Sequence, residues 1–192
     1  MQAYIDFILE LDRLKGVTRR TKPLGQSRYE NSAEHSWQIA LLAVSLSHFA
    51  ETAVDIDRVV AMLLVHDIGE IETGDVMVYV DEGLAERKAA EHRAVERIFG
   101  MLPEGRGARL LELWCEFEEG TSAEARFAHA VDRAMPVLLN LANEGQSWRE
   151  NGIDYERVRR RVGPPIQAGC PALWAYLEAE LAAAHKNGLF GV

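Results

Sequence analysis

Apolar residues recur at intervals of three and four along almost the whole chain, the spacing of α-helices that each bury one face. Residues 2–15 place Tyr4, Ile8, Leu11 and Leu14 on one such face. Gly16, Pro23 and Gly25 interrupt the pattern over 16–29. It resumes at Asn31, whose spacing to Glu34 fits a capping box with Asn in the usual Ser or Thr place. This second helix is expected to reach about Glu51, with Ile39, Leu42, Leu46 and Phe49 buried. A third, capped by Asp55 or Asp57, should end near Gly69. Residues 70–81 read as a loop, although VMVYV is apolar and β-branched enough for a short extended piece. Further helices are expected at 82–100, 105–118, 123–144, 154–162 and 171–186, with the GPP of 163–165 among the breaks. Helical segments without strand alternation predict an all-α, single-domain helical bundle, and no internal repeat is visible.

Composition narrows the classes. The net charge of −9 over 192 residues repels phosphate backbones and argues against a nucleic-acid partner. No apolar run approaches a membrane span, and the first residues lack the basic lead of a signal peptide, so the cytoplasm is the expected compartment. Cys115 and Cys170 lie far apart and form no CxxC pair, which points away from a thiolate zinc site or a disulfide framework. The charge is uneven, however. No acid falls between Asp12 and Glu30, where Arg13, Lys15, Arg19, Arg20, Lys22 and Arg28 are gathered. Such a patch suits a small phosphate ester; for Lys22 and Arg28 pairing with acids elsewhere is an equal reading.

Buried polar residues supply the candidate chemistry. His66 and Asp67 stand at the end of the apolar run AMLLV, where burial is costly unless each has a partner. His35 shares the stripe of Ile39, Leu42, Leu46 and Phe49. Asp132 shares a face with Ala128, Met135 and Leu139 and precedes Pro136, whose missing N–H leaves the Asp132 carbonyl without its helical donor. Singly, each has a bland explanation as a hydrogen-bonded core group. Three helices each turning His or Asp inward fit one divalent transition metal, with Mn, Co, Fe, Ni or Zn suited to mixed imidazole and carboxylate ligands.

The order H…HD…D, in NSAEHSW, LLVHDIGE and FAHAVDRA, resembles the HD-domain phosphohydrolases. The segments LDRLKGVTRR, ENSAEHSWQIA, HDIGEIETGD, VERIFGMLP, LWCEFEEGTSAEARFAHAVD and WREN are similar to the branch that includes the 5′-deoxynucleotidases. The resemblance covers about residues 5–145 and implies an HD domain over 1–192, its C-terminal helices packing on that core. It implies His35, His66, Asp67 and Asp132 as metal ligands, Glu70 as the acid protonating the leaving ribose oxygen, and Asp75 as the residue orienting the attacking water. It makes Arg19 the phosphate contact. The bacterial 5′-deoxynucleotidase pattern has a tryptophan beside that arginine, associated with excluding the ribose 2′-hydroxyl, whereas the branch with eukaryotic members varies there; Arg20 stands here instead, a second substrate-binding candidate that could favour a second phosphate, and leaves sugar preference open. The implied activity is hydrolysis of (deoxy)nucleoside 5′-monophosphates by a homodimer, with residues 171–186 as one place for an interface. A pyrophospho- or triphosphohydrolase, or a non-catalytic metal and nucleotide binder, are the rivals.

Other features have plainer readings. Glu116, Glu118 and Glu124 could hold a second metal but read first as a solvated acidic face. RVRRR at 157–161 reads as a solvated helix face. The tryptophans read as packing residues, with Trp148 the one to compare with a nucleobase.

Overall fold

The computed structural model describes residues 1–80 and 82–191, and over these the chain is all-α. The helices are α1 (Gln2–Leu11), α2 (Ser32–Leu46), α3 (Ile56–Val65), α4 (Glu70–Thr73), α5 (Leu84–Phe99), α6 (Ala108–Glu119), α7 (Ala123–Ala142), α8 (Gln146–Glu150), α9 (Tyr155–Gly169) and α10 (Pro171–Lys186). The sequence cues act locally as expected. Asn31 and Glu34 form the full capping box of α2, and Asp55 rather than Asp57 caps α3; Ser122, a cap the sequence reading did not single out, accepts from the Ala125 N–H at the start of α7. Each such cap contributes about 0.5–2 kcal/mol. Gly120 closes α6 in the left-handed region, φ 64°, where a side chain would be strained. No helix among the described residues is long and apolar enough to cross a membrane.

Helix α7 is the axis of the molecule, because both of its faces are buried. One face joins Ile39 and Ala43 of α2, Val59, Met62 and Leu63 of α3, and the apolar sides of α5 and α6. The other face, through Ala134 and Val137, packs on Trp148, Val158, Ile166, Trp174 and Leu181 of α8–α10. Gly169 makes the second contact close: a Cβ there would stand 2.1 Å from the Arg126 carbonyl oxygen of α7.

Some expectations are corrected. The buried residues of this first segment are Phe7 of α1 and Leu14 of the 3₁₀ turn at Asp12–Gly16, whereas Ile8 is exposed. Phe49 is likewise exposed beyond the end of α2. Pro164 and Pro165 do not end α9. Their φ is compatible with a helix, and Val158, Val162 and Ile166 continue one fully or nearly fully buried face across them, each worth roughly 1.5–3 kcal/mol. The apolar side of α10 faces α9 and α7 within the chain, with Trp174, Leu177 and Leu181 buried, so that face is not an exposed interface. Residues 70–73 form the short α4, and VMVYV is not a strand.

Candidate metal centre and active site

Three helices meet at the centre. His35 lies in the first turn of α2, His66 directly follows α3, and Asp132 sits midway along α7; all three are buried. One ligand atom from each lies within 4.8 Å of the others. His35 Nε2 is 3.0 Å from Asp132 Oδ1. His66 Nε2 is 3.0 Å from Asp67 Oδ1 and 3.7 Å from Asp132 Oδ1, yet makes no hydrogen bond. The ring of His66 is fixed from behind: its Nδ1–H donates to the Leu63 carbonyl at 2.9 Å, and Trp114 Nε1–H donates to the His66 carbonyl at 3.0 Å. Phe117 packs against the ring at 4.9 Å. These contacts leave Nε2 as the nitrogen presented to the centre.

The surrounding shell is overwhelmingly acidic. Asp67, Asp75 and Glu30 converge on one buried guanidinium, that of Arg19, at 3.0, 3.5 and 3.4 Å. Glu70 stands beside them, with Ser32 Oγ–H donating to its Oε2 at 2.6 Å. Burial raises Glu70 to about 9, the Asp67 charge adding to the rise and Arg19 opposing it. Burial likewise lifts Glu30 to about 7 against the pull of Arg19. Asp67 is driven the other way: His66 and Arg19 outweigh burial and hold it at about 2. Against the same burial penalty, Arg133, His35 and His66 keep Asp132 well below the carboxylate range. Burial takes His35 down to about 4, whereas Asp67 and Asp132 overcome burial at His66 and lift it to about 10. A centre that attracts positive charge this strongly, with an unbonded imidazole nitrogen facing two carboxylates, fits a divalent cation. Two imidazoles and a carboxylate are ligands for Mn, Fe, Co, Ni or Zn.

His66 and Asp132 of the centre line a cavity of about 540 Å³. Its wall also carries Arg19, Asp67, Glu70 and Asp75 together with apolar Met77, Val162 and Pro165. This size and mixture suit a small organic ligand with one highly polar end.

The profile of the HD domain matches residues 11–174. The chain belongs to the HD-domain family. This HD-domain protein is 30% identical over 136 residues to the human 5′-deoxynucleotidase HDDC2, a match covering 68% of this chain and 65% of that protein. It is 34% identical over 107 residues to the 5′-deoxynucleotidase YfbR of Escherichia coli O1:K1 / APEC, covering 51% and 53%. The chain thus spans just under two thirds of the human relative's length. Among solved structures, a protein from Magnetospirillum magnetotacticum MS-1 named as a predicted metal-dependent phosphohydrolase is 39% identical, with a TM-score of 0.91 over 100% of this chain and 98% of that one. The PH0347 protein of Pyrococcus horikoshii OT3, 21% identical with a TM-score of 0.61 over 95% and 98%, shares the fold.

Within the HD-domain fold, His35, His66 and Asp132 come together as the ordered motif implied, with Asp67, Glu70, Asp75 and Arg19 around them. Asp67 stands outside the three-residue group; its Oδ2 accepts from Arg19. Arg20 is exposed at the cavity rim, 5.9 Å over the Tyr29 ring. Lys22 is committed to Glu150 at 2.7 Å and Arg28 to Glu34 at 2.7 Å, so neither is available as a phosphate clamp. The acidic trio is dispersed among partners: Glu116 with Arg58, Glu118 with Lys88, and Glu124 with the Asp55 N–H. RVRRR is not simply solvated, because Arg157 and Arg161 donate to the Tyr79 and Val78 carbonyls and tie α9 to the cavity loop. Trp148 is buried and stacks on Phe190 at 4.4 Å, a packing role. Sequence reasoning missed Glu30, Ser32 and Trp114 at the site. Glu30 and Ser32 flank the capping residue Asn31 within the quoted ENSAEH, but their inward aim follows only from how α2 enters the core.

Proposed function

We propose that the protein is a metal-dependent phosphohydrolase that converts nucleoside 5′-monophosphates, deoxynucleotides among them, to nucleoside and phosphate. The observation that carries this reading is the convergence of His35, His66 and Asp132 beside Glu70 and Arg19, with His66 and Asp132 lining one cavity. The 5′-deoxynucleotidase names of the human and bacterial relatives support the substrate class.

His35, His66, Asp67 and Asp132 would hold the ion, a single Mn, Co, Fe, Ni or Zn. Bound there, the ion supplies Lewis acidity toward the phosphoryl oxygens and lowers the pKa of attacking water. Arg19 offers a planar, permanently charged donor set that fixes a phosphate in one orientation. Burial favours the protonated form of Glu70; Ser32 donates to its Oε2, leaving Oε1 to hold that proton for the departing ribose oxygen. Asp75, its carboxylate 3.5 Å from Arg19, would accept from the attacking water.

One observation favours a rival reading. Arg133 lines the cavity, and its contact with Asp132 is long at 3.5 Å, so a second phosphate could draw on it. The same reading takes the chain as a cytoplasmic homodimer. Trp37, Leu41 and Val44 on α2 are exposed at a helical spacing that supports an apolar contact, and light scattering of the purified protein checks it. The deciding experiment measures phosphate release from deoxy- and ribonucleoside mono-, di- and triphosphates by metal-stripped protein resupplied with Mn, Co or Mg. Release from the monophosphates is expected. Activity confined to longer phosphates would replace the substrate assignment, and inactivity on every substrate despite metal binding would leave a non-catalytic binder.

A further inference from the structure

Three buried polar atoms near the centre face one another without a hydrogen bond: Arg19 Nε, Glu30 Oε1 and His35 Nδ1. The same oxygen, Glu30 Oε1, is 3.4 Å from Arg19 Nε and 3.8 Å from His35 Nδ1. Burying one such atom unbonded costs roughly 1–3 kcal/mol, so three on a common point call for an explanation. Chance looseness is a poor one, because the backbone clamps the segment. Arg19 N–H donates to the Glu30 carbonyl at 3.0 Å, and Glu30 N–H donates to the Thr21 carbonyl at 2.9 Å. These two bonds set Glu30 alongside Arg19, five residues before His35.

His66 shows what is missing at His35. The Nδ1–H of His66 has an acceptor, the Leu63 carbonyl, which aims its Nε2 at the centre. A cation in the centre would be held by His35 through Nε2, the nitrogen facing Asp132. The ring proton of His35 must then sit on Nδ1, and the acceptor facing it is Glu30 Oε1. Histidine ligands are oriented and made more basic by such partners.

We propose that Glu30 is a positioning residue that couples the metal ligand to the substrate clamp: one carboxylate oxygen orients His35 through Nδ1–H and Arg19 through Nε–H. This rests on the metal-centre reading above and adds to it. Loading the centre draws Glu30 toward His35, and the Arg19 guanidinium moves with it. Metal binding and phosphate binding are thereby linked through a side chain that touches neither ligand.

The test uses Glu30→Gln, which keeps size and both backbone bonds but removes the charge. Cobalt and inorganic phosphate are the probes, titrated calorimetrically. The Kd for cobalt is expected to rise about 10- to 100-fold, and phosphate binding to the cobalt-loaded protein to weaken, with the melting temperature within a few degrees of wild type. An unchanged cobalt affinity overturns the proposal, and an unchanged phosphate affinity overturns its Arg19 half. Should the variant fail to fold, the wild type decides. Cobalt-loaded, histidine-labelled protein should show two hyperfine-shifted, slowly exchanging imidazole N–H signals, from His66 and His35; one signal only would refute the coupling. A wild type that binds no cobalt would instead overturn the metal centre itself.

Discussion

Replacing Glu70 with glutamine isolates the proton it is proposed to donate. Burial favours the neutral form of this carboxyl, and glutamine is close to an isostere of that form. The amide oxygen can still accept from Ser32 Oγ–H in the 2.6 Å contact, and His35, His66 and Asp132 are untouched. Metal content should therefore match wild type. Loss of a general acid costs about 10²–10⁴ in rate, which at 1.36 kcal/mol per decade is about 2.7–5.4 kcal/mol of barrier. The informative assay compares a nucleoside monophosphate with p-nitrophenyl phosphate, whose leaving group departs without a proton. The kcat loss should be full for the nucleotide and small for the nitrophenyl ester. Stability supplies a second readout. A carboxyl raised from 4.5 to about 9 in the native state favours folding below 4.5 relative to higher pH, and that contribution is lost as pH climbs toward 9. Metal-stripped Glu70→Gln should accordingly show a flatter stability profile than wild type across this window. Nucleotide turnover within threefold of wild type, or equal losses on both esters, would refute the assignment.

Metal removal should lower the melting temperature. An ion at a thousandfold its Kd stabilises the native state by about 4.1 kcal/mol, or about 8–16 °C for a chain of this size at about 2–4 °C per kcal/mol. Asp132→Asn should lose the response, and a stripped protein that melts as the loaded one does would contradict the site. Arg19→Lys keeps the charge but loses the planar fork, so kcat/KM should fall about 10- to 100-fold, the worth of one charge-assisted hydrogen bond; steady-state kinetics reads this directly. Gly169→Ala would drive a Cβ to 2.1 Å from a backbone oxygen of α7, and overpacking of this kind should destabilise the fold by about 1–3 kcal/mol in denaturant titration.

The places where sequence reasoning failed share a cause. Ile8 and Phe49 fit their helical stripes by spacing but are exposed, because spacing describes one helix and burial depends on where its neighbour lies. Pro164 and Pro165 punctuate the sequence, yet α9 runs through them where its apolar side is covered by α7 and α10. Lys22 and Arg28 are a different case: pairing with acids elsewhere was already an equal reading of the sequence, and the acids are Glu150 and Glu34. Only the fold brings residue 150 to residue 22.

By itself the sequence indicated most of the long helices, the caps of α2 and α3 and the polar residues turned inward, since these follow from local periodicity and from the cost of burying His and Asp without partners. The ordered His35, His66–Asp67 and Asp132 motif also pointed to the family in advance. Tertiary structure alone decided which acid is neutral and which is charged. Glu70 and Asp67 are three residues apart, yet burial raises one to about 9 while His66 and Arg19 hold the other at about 2. It alone revealed Glu30 between Arg19 and His35, because the fields and contacts that assign those roles come from residues distant in the chain and adjacent in space.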